Sequence, residues 1–210
     1  SNNVSHNNRE MPAALGGAPV FVQTANNQEK LDQWQQITEA EAEMAYQMTL
    51  RNELSGGTPT VRQFEALWRE RFECKFAITV INGTSALHSA MFGLGIGPGD
   101  EVITSPFSFI STVEVILLLG AKPVFVDISP LTYNIDPLLL EAAVTAHTKA
   151  IVPISLYGQC ADFDKINEVA DQYELTVIED GAQSFGARYF DKMSCGLTTI
   201  GSSSSGTQLL

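Results

Sequence analysis

Apolar positions fall three or four residues apart over much of the stretch from Gln28 to Leu54, at Leu31, Trp34, Ile37, Met44 and Met48, and this spacing predicts a helix. The segment "SGGTPT", Ser55 to Thr60, breaks it. A second amphipathic helix follows in "VRQFEALWRERFEC", with Val61, Phe64, Leu67 and Trp68 expected inward. Beyond it, short β-type runs alternate with helical patterns. Strands are predicted at 76–81, 101–104, 123–127, 149–154 and 175–179, and helices at 84–94, 110–119, 137–144 and 163–173. Such alternation argues for an α/β fold, a mostly parallel sheet with helices on both faces.

Composition narrows the function classes. With 210 residues the chain has the length of one sizeable domain. A hydrophobic content of 44% and a charged content of 17% describe an ordinary core, and no apolar run reaches the roughly 20 residues of a membrane span, so a soluble protein is expected. A net charge of −12 without a Lys/Arg cluster argues against nucleic acid as a partner. Cys74, Cys160 and Cys195 form neither a disulfide framework nor a zinc knuckle, which suits buried or idle thiols in a reducing cytoplasm. His6, His88 and His147 are scattered and give no metal-ligand spacing. The opening "SNNVSHNNRE" lacks the pattern of a signal peptide and reads as a flexible arm.

A parallel sheet brings the carboxyl ends of its strands to one edge, where ligands of α/β proteins sit. Four of the predicted strands end there in small or polar clusters. Asn82, Gly83, Thr84 and Ser85 form a turn into a helix, suited to a phosphate or carboxylate; an ordinary N-cap by Thr84 or Ser85 is the alternative. In "ITSPFSFIST" one of Phe107 and Phe109 can lie on a planar ring while the other packs inward, or both can be core. Tyr157, Gly158 and Gln159 follow the next strand, and Asp162 reads as the N-cap of the helix after it. In "TVIEDGAQSFGARY" the strand ends in Glu179 and Asp180, which alternation points to opposite faces. Asp180 is the candidate to hold a protonated heterocyclic nitrogen, with a capping or salt-bridged acid as the rival reading.

The stretches "INGTSALHSAMFGLGIGPGDEVITSPFSFISTVEVILLLGAKPVFVDISPLTYNIDP", "KAIVPISLYGQCADFDKI" and "VIEDGAQSFGARY" resemble the DegT/DnrJ/StrS-type sugar aminotransferases, pyridoxal-phosphate enzymes of the aspartate aminotransferase fold type. They cover most of residues 54–201, and "LGGAPVF", Leu15 to Phe21, is similar as well. The resemblance implies an N-terminal arm over 1–27, a partial pyridoxal-phosphate-binding large domain over 28–201, a divergent tail over 202–210 and no C-terminal small domain. It implies cofactor phosphate at Gly83, Thr84 and Ser85, with Ser204 near it, Phe109 stacked on the ring, Asp180 on the ring nitrogen and Gln183 by the phenolic oxygen. It further implies amino transfer from glutamate or glutamine to a keto sugar, commonly nucleotide-linked, by a cytoplasmic homodimer.

One element of that pattern is missing. The lysine that forms the Schiff base with the cofactor is expected near Leu209, where the chain reads "SSSSGTQLL", and the lysines at 30, 75, 122, 149, 165 and 192 lie in other contexts. Two expectations follow: a chain that binds the cofactor without covalent attachment and is inactive, and a sheet cut before its last strands with an apolar edge exposed. A lysine-free binding or regulatory protein on the same fold is the alternative; a dehydratase with histidine in place of lysine would need a histidine near 209, and there is none.

Overall fold

A computed structural model describes residues 37–198, 200–202 and, for the backbone, 207–209. The chain divides into two compact units, Ser1–Asn52 and Glu53–Leu210. The described part of the first is helix α1, Glu39–Leu50. A capping box of Thr38 and Glu41 starts it: the Thr38 N–H donates to Glu41 Oε2 at 2.7 Å, and the Glu41 N–H to Thr38 Oγ1 at 3.4 Å; the expected stretch 28–36 lies outside the described residues. None of its residues is buried, Met44 and Met48 included. Leu31 and Trp34, with the arm at 1–27, lie outside the described residues.

The second unit opens with α2, Pro59–Phe72, whose inward face differs from the expected one. Val61 is half-buried and Phe64 and Leu67 are exposed; Trp68 and Phe72 carry the packing. The reason is where the helix meets the rest of the unit. It ends at Glu73 in the left-handed region and leads at once into strand β1, Ala77–Thr79, so only its last turns reach the cluster of Ala77 and Cys195. There the Trp68 and Phe72 rings stack with centroids 4.7 Å apart.

The alternation expected from the sequence is present. After β1 come α3 (Gly83–Gly93), β2 (Glu101–Thr104), α4 (Ser111–Leu118), β3 (Lys122–Phe125), α5 (Leu140–Ala143), β4 (Thr148–Val152), α6 (Phe163–Gln172) and β5 (Thr176–Asp180). The expected helix at 137–144 is split: Pro137–Leu139 form a 3₁₀ turn ahead of the single turn α5. A two-stranded ribbon, β6 (Arg188–Tyr189) with β7 (Lys192–Met193), precedes β8 (Ile200–Ser202) and β9 (Thr207–Leu209).

The main sheet has seven strands in the order β1-β9-β8-β5-β4-β2-β3. All run in one direction except β9, which is antiparallel to both neighbours. This corrects the expectation of a sheet cut before its last strands: β9 fills the place between β1 and β8. Leu209 pairs there with Ala77 and Gly201 in mid-sheet. The central strands are apolar on both sides because both are covered. Ile178, Ile200 and Val102 pack with Leu87, Met91, Val115 and Ile116 of α3 and α4, and Ile103, Ile151 and Val177 with Phe163 and Ile166 of α6.

Close packing at β8 makes a direct test. A Cβ at Gly201 would lie 2.3 Å from the Cys195 carbonyl oxygen and 2.8 Å from its carbonyl carbon, backbone atoms that cannot swing away. Gly201→Ala is expected to cost about 1–3 kcal/mol in urea unfolding. Gly93→Ala, with nothing within 4 Å of the new Cβ at the end of α3, is the control and is expected to be neutral or stabilising.

Candidate active site

Six parallel strands place the ends of β1, β2, β4, β5 and β8 on one edge, and β5 delivers two acids to it. Alternation sends them to opposite faces, as expected. Asp180 is 4% exposed. Its Oδ2 accepts from Thr112 Oγ1 at 2.7 Å and its Oδ1 from the Ala182 N–H at 3.2 Å. Among the described residues no cation reaches it. Burial holds its carboxyl above the ordinary aspartate range, with the Thr112 hydroxyl and Ala182 amide pulling the other way. The backbone around it is clamped: the Asp180 N–H donates to Pro153 O, and the Ser155 N–H donates to Asp180 O.

Glu179, fully buried on the other face, holds loops together. Its Oε1 accepts from Ser194 Oγ at 2.7 Å and its Oε2 from the Cys195 N–H at 2.7 Å, with Ser155 Oγ at 3.5 Å. Burial raises its carboxyl against these donors. Burial and the Glu179 charge push the Cys160 thiol up to about 11, and the same two causes raise Cys195, so neither is a ready thiolate.

The loop after β4 is tied to Gln183. Tyr157, at φ 55°, donates its N–H to Gln183 Oε1 at 3.1 Å, and buried Asn134 fixes the same loop by accepting from the Leu156 N–H and donating to Gln159 O. With its oxygen so occupied, Gln183 offers its amide N–H groups. Thr112, which no sequence pattern singles out, stands on the first turn of α4, three residues after Phe109. Only the fold, bringing it to a partner 68 positions away, reveals its role.

The inward packing expected for one or both of the aromatic pair is not met. Phe107 is partly exposed and tilts against Tyr133 at 5.8 Å between centroids, and Phe109 is 70% exposed. The turn into α3 is capped by Asn82, not Thr84 or Ser85: Asn82 Oδ1 accepts from the Ser85 N–H at 2.8 Å. That leaves the Gly83 and Thr84 amides, N-terminal donors of an 11-residue helix, without a partner among the described residues, with the half-buried Thr84 and Ser85 beside them. Asp162 caps α6 as expected and also holds Lys165 Nζ at 2.8 Å. Ser204 lies outside the described residues. Ser202, which the sequence pattern also leaves unmarked, registers opposite Asp180 on β8 and is buried.

No described lysine bonds to Asp180, Thr112 or Gln183. Lys122 pairs with Glu101 at the opposite edge, and Lys149 lies near the start of β4. Among the described residues no cluster could hold a metal ion, and no helix is long and apolar enough to cross a membrane.

The chain is 56% identical over 142 residues, 68% of its own length and 40% of the relative's, to the UDP-2-acetamido-2-deoxy-3-oxo-D-glucuronate aminotransferase of Pseudomonas aeruginosa. It superposes on the aminotransferase from Psychrobacter cryohalolentis with a TM-score of 0.78 at 39% identity, covering 80% of this chain and 43% of that one. It superposes on NtdA from Bacillus subtilis with bound cofactor PMP at 0.67 and 37%, covering 71% and 35%. The chain thus spans well under half the length of these relatives. Residues 35–205, the whole sheet edge included, match one family throughout, and the chain belongs to the DegT/DnrJ/EryC1/StrS aminotransferase family.

Proposed function

We propose that this edge is the site of pyridoxal-phosphate-dependent transfer of an amino group, from glutamate or glutamine, to a keto sugar carried on a nucleotide. The observation that carries the reading is Asp180: a buried carboxylate at a strand end, fixed by two donors and lacking a cation among the described residues, is suited to a positively charged ring nitrogen. The Gly83 and Thr84 amides with the Thr84 and Ser85 hydroxyls would hold the phosphate, Phe109 would cover the ring, and a Gln183 N–H would meet its phenolic oxygen. Bound there, the cofactor supplies an electron sink for the carbon that bears the amino group. Asp180 keeps the ring nitrogen protonated, Thr112 sets the carboxylate's orientation, and Tyr157 sets that of Gln183. The sugar substrate is supported by the relative from Pseudomonas; a cytoplasmic homodimer is part of the same proposal.

These residues fit binding of the cofactor and not its covalent attachment, since the family resemblance expects the lysine near position 209, where the chain has Leu209. The chain is therefore proposed to bind the cofactor reversibly and to be inactive in transfer. That absence equally favours a second reading, a binding or regulatory protein on the same fold. Incubation with pyridoxal phosphate, borohydride reduction and peptide mass analysis tests the point. No phosphopyridoxyl-lysine is expected; one labelled lysine would show that another lysine serves, and would overturn the claim of reversible binding.

A further inference from the structure

We infer that the Ser202 hydroxyl is a phosphate ligand of this site. The inference rests on the cofactor reading above and adds to it a residue outside the anion turn.

Ser202 is 1% exposed, and among the described residues its Oγ has no hydrogen-bond partner. Its backbone carbonyl, in contrast, is engaged: Ser202 O accepts from the Gly181 N–H at 2.8 Å and from Cys195 Sγ at 3.4 Å. The strand is thus fixed while the hydroxyl it carries is left over. A buried hydroxyl without a partner costs the fold stability, and alanine in its place would remove that cost. No described residue serves this hydroxyl, which leaves it open to a ligand.

The face on which it lies is set by register. Ile178 pairs with Ile200 and Asp180 with Ser202. Ile178 and Ile200 belong to the cluster under α3 and α4, so two residues further on, Asp180 and Ser202 share that face. From β5 the sheet runs through β8 and β9 to β1, and β1 leads into the Gly83–Ser85 turn. The Ser202 hydroxyl therefore stands between the acid and the anion turn. A ligand that joins a cationic ring at Asp180 to a phosphate at Gly83–Ser85 spans β8, and an O–H there donates to a phosphoryl oxygen.

The test compares pyridoxamine 5′-phosphate with pyridoxamine, which lacks the phosphate, on the parent chain and on Ser202→Ala by fluorescence titration, together with the Tm of both free proteins. Neither ligand needs a lysine. The expected result is about a 10-fold loss of affinity for the phosphate form, no change for pyridoxamine, and a Tm that stays level or rises. Unchanged affinity for the phosphate form overturns the inference. Equal loss for both ligands assigns the hydroxyl to the ring and overturns it too. A lowered Tm of the free variant would show the hydroxyl paired within the fold, which likewise overturns it. If the parent chain binds neither ligand, the cofactor reading itself fails and this inference with it, an outcome distinct from failure of the variant alone.

Discussion

Replacing Asp180 by asparagine is expected to weaken pyridoxamine 5′-phosphate binding about 100-fold while making the free protein more stable at neutral pH. The two effects have one cause. Truncating one partner of a buried, hydrogen-bonded charge pair costs roughly 2–5 kcal/mol of binding, and 100-fold lies within that range. Without the ligand, the same carboxylate has two donors and no described cation. Asparagine is neutral and nearly isosteric; its oxygen still serves the Ala182 N–H, and the Thr112 hydroxyl turns to accept from its NH₂.

The pH dependence follows from the direction of the Asp180 shift. Burial raises its carboxyl in the folded state, so the native protein holds that proton more tightly than the unfolded chain does. The stability contributed by this group is complete below the ordinary aspartate value and is lost as pH rises through the raised folded value. Asp180→Asn removes that loss. The stability difference between variant and parent should be largest at neutral pH and vanish toward acid. A variant less stable than the parent at neutral pH would mean that the acid is already paired in the free protein.

The second large effect belongs to the other acid. Glu179→Ala is expected to destabilise the fold by about 3 kcal/mol or more, because the Ser194 hydroxyl and the Cys195 N–H both lose their acceptor in a site closed to water, at roughly 1–3 kcal/mol for each unsatisfied group. Glu179→Gln keeps the volume and one acceptor oxygen, and should lose about half as much. Urea unfolding with an unchanged m-value measures both. A loss below about 1 kcal/mol for Glu179→Ala would mean that the loop at 193–197 holds without the carboxylate.

The contrast between the two acids also shows what the sequence could reveal. Period-two alternation was enough to put Glu179 and Asp180 on opposite faces, and "EVIT", "KAIVPI" and "TVIED" read as strands because both faces of the central sheet are covered. The helix phase of α2 was not legible: Phe64, Leu67 and Trp68 all fit an apolar stripe, and only contact with β1 and Cys195 selects Trp68 and Phe72. Nor were β8 and β9. A serine run has low strand propensity, and what makes these short segments strands is pairing with β5 and β1, far back in the chain. Thr112 and Ser202 stayed hidden for the same reason, since their neighbour Asp180 is near them only once the sheet has formed.

The most direct measurement is ¹⁵N NMR of pyridoxamine 5′-phosphate labelled at the ring nitrogen and bound to the parent chain, followed through a pH titration. Held by Asp180, the ring nitrogen should remain protonated well above the pH at which it loses its proton in water, and should lose this protection in Asp180→Asn. A bound ring that titrates as it does in free solution, or identically in parent and variant, would contradict the assignment of Asp180 and with it the account of this site.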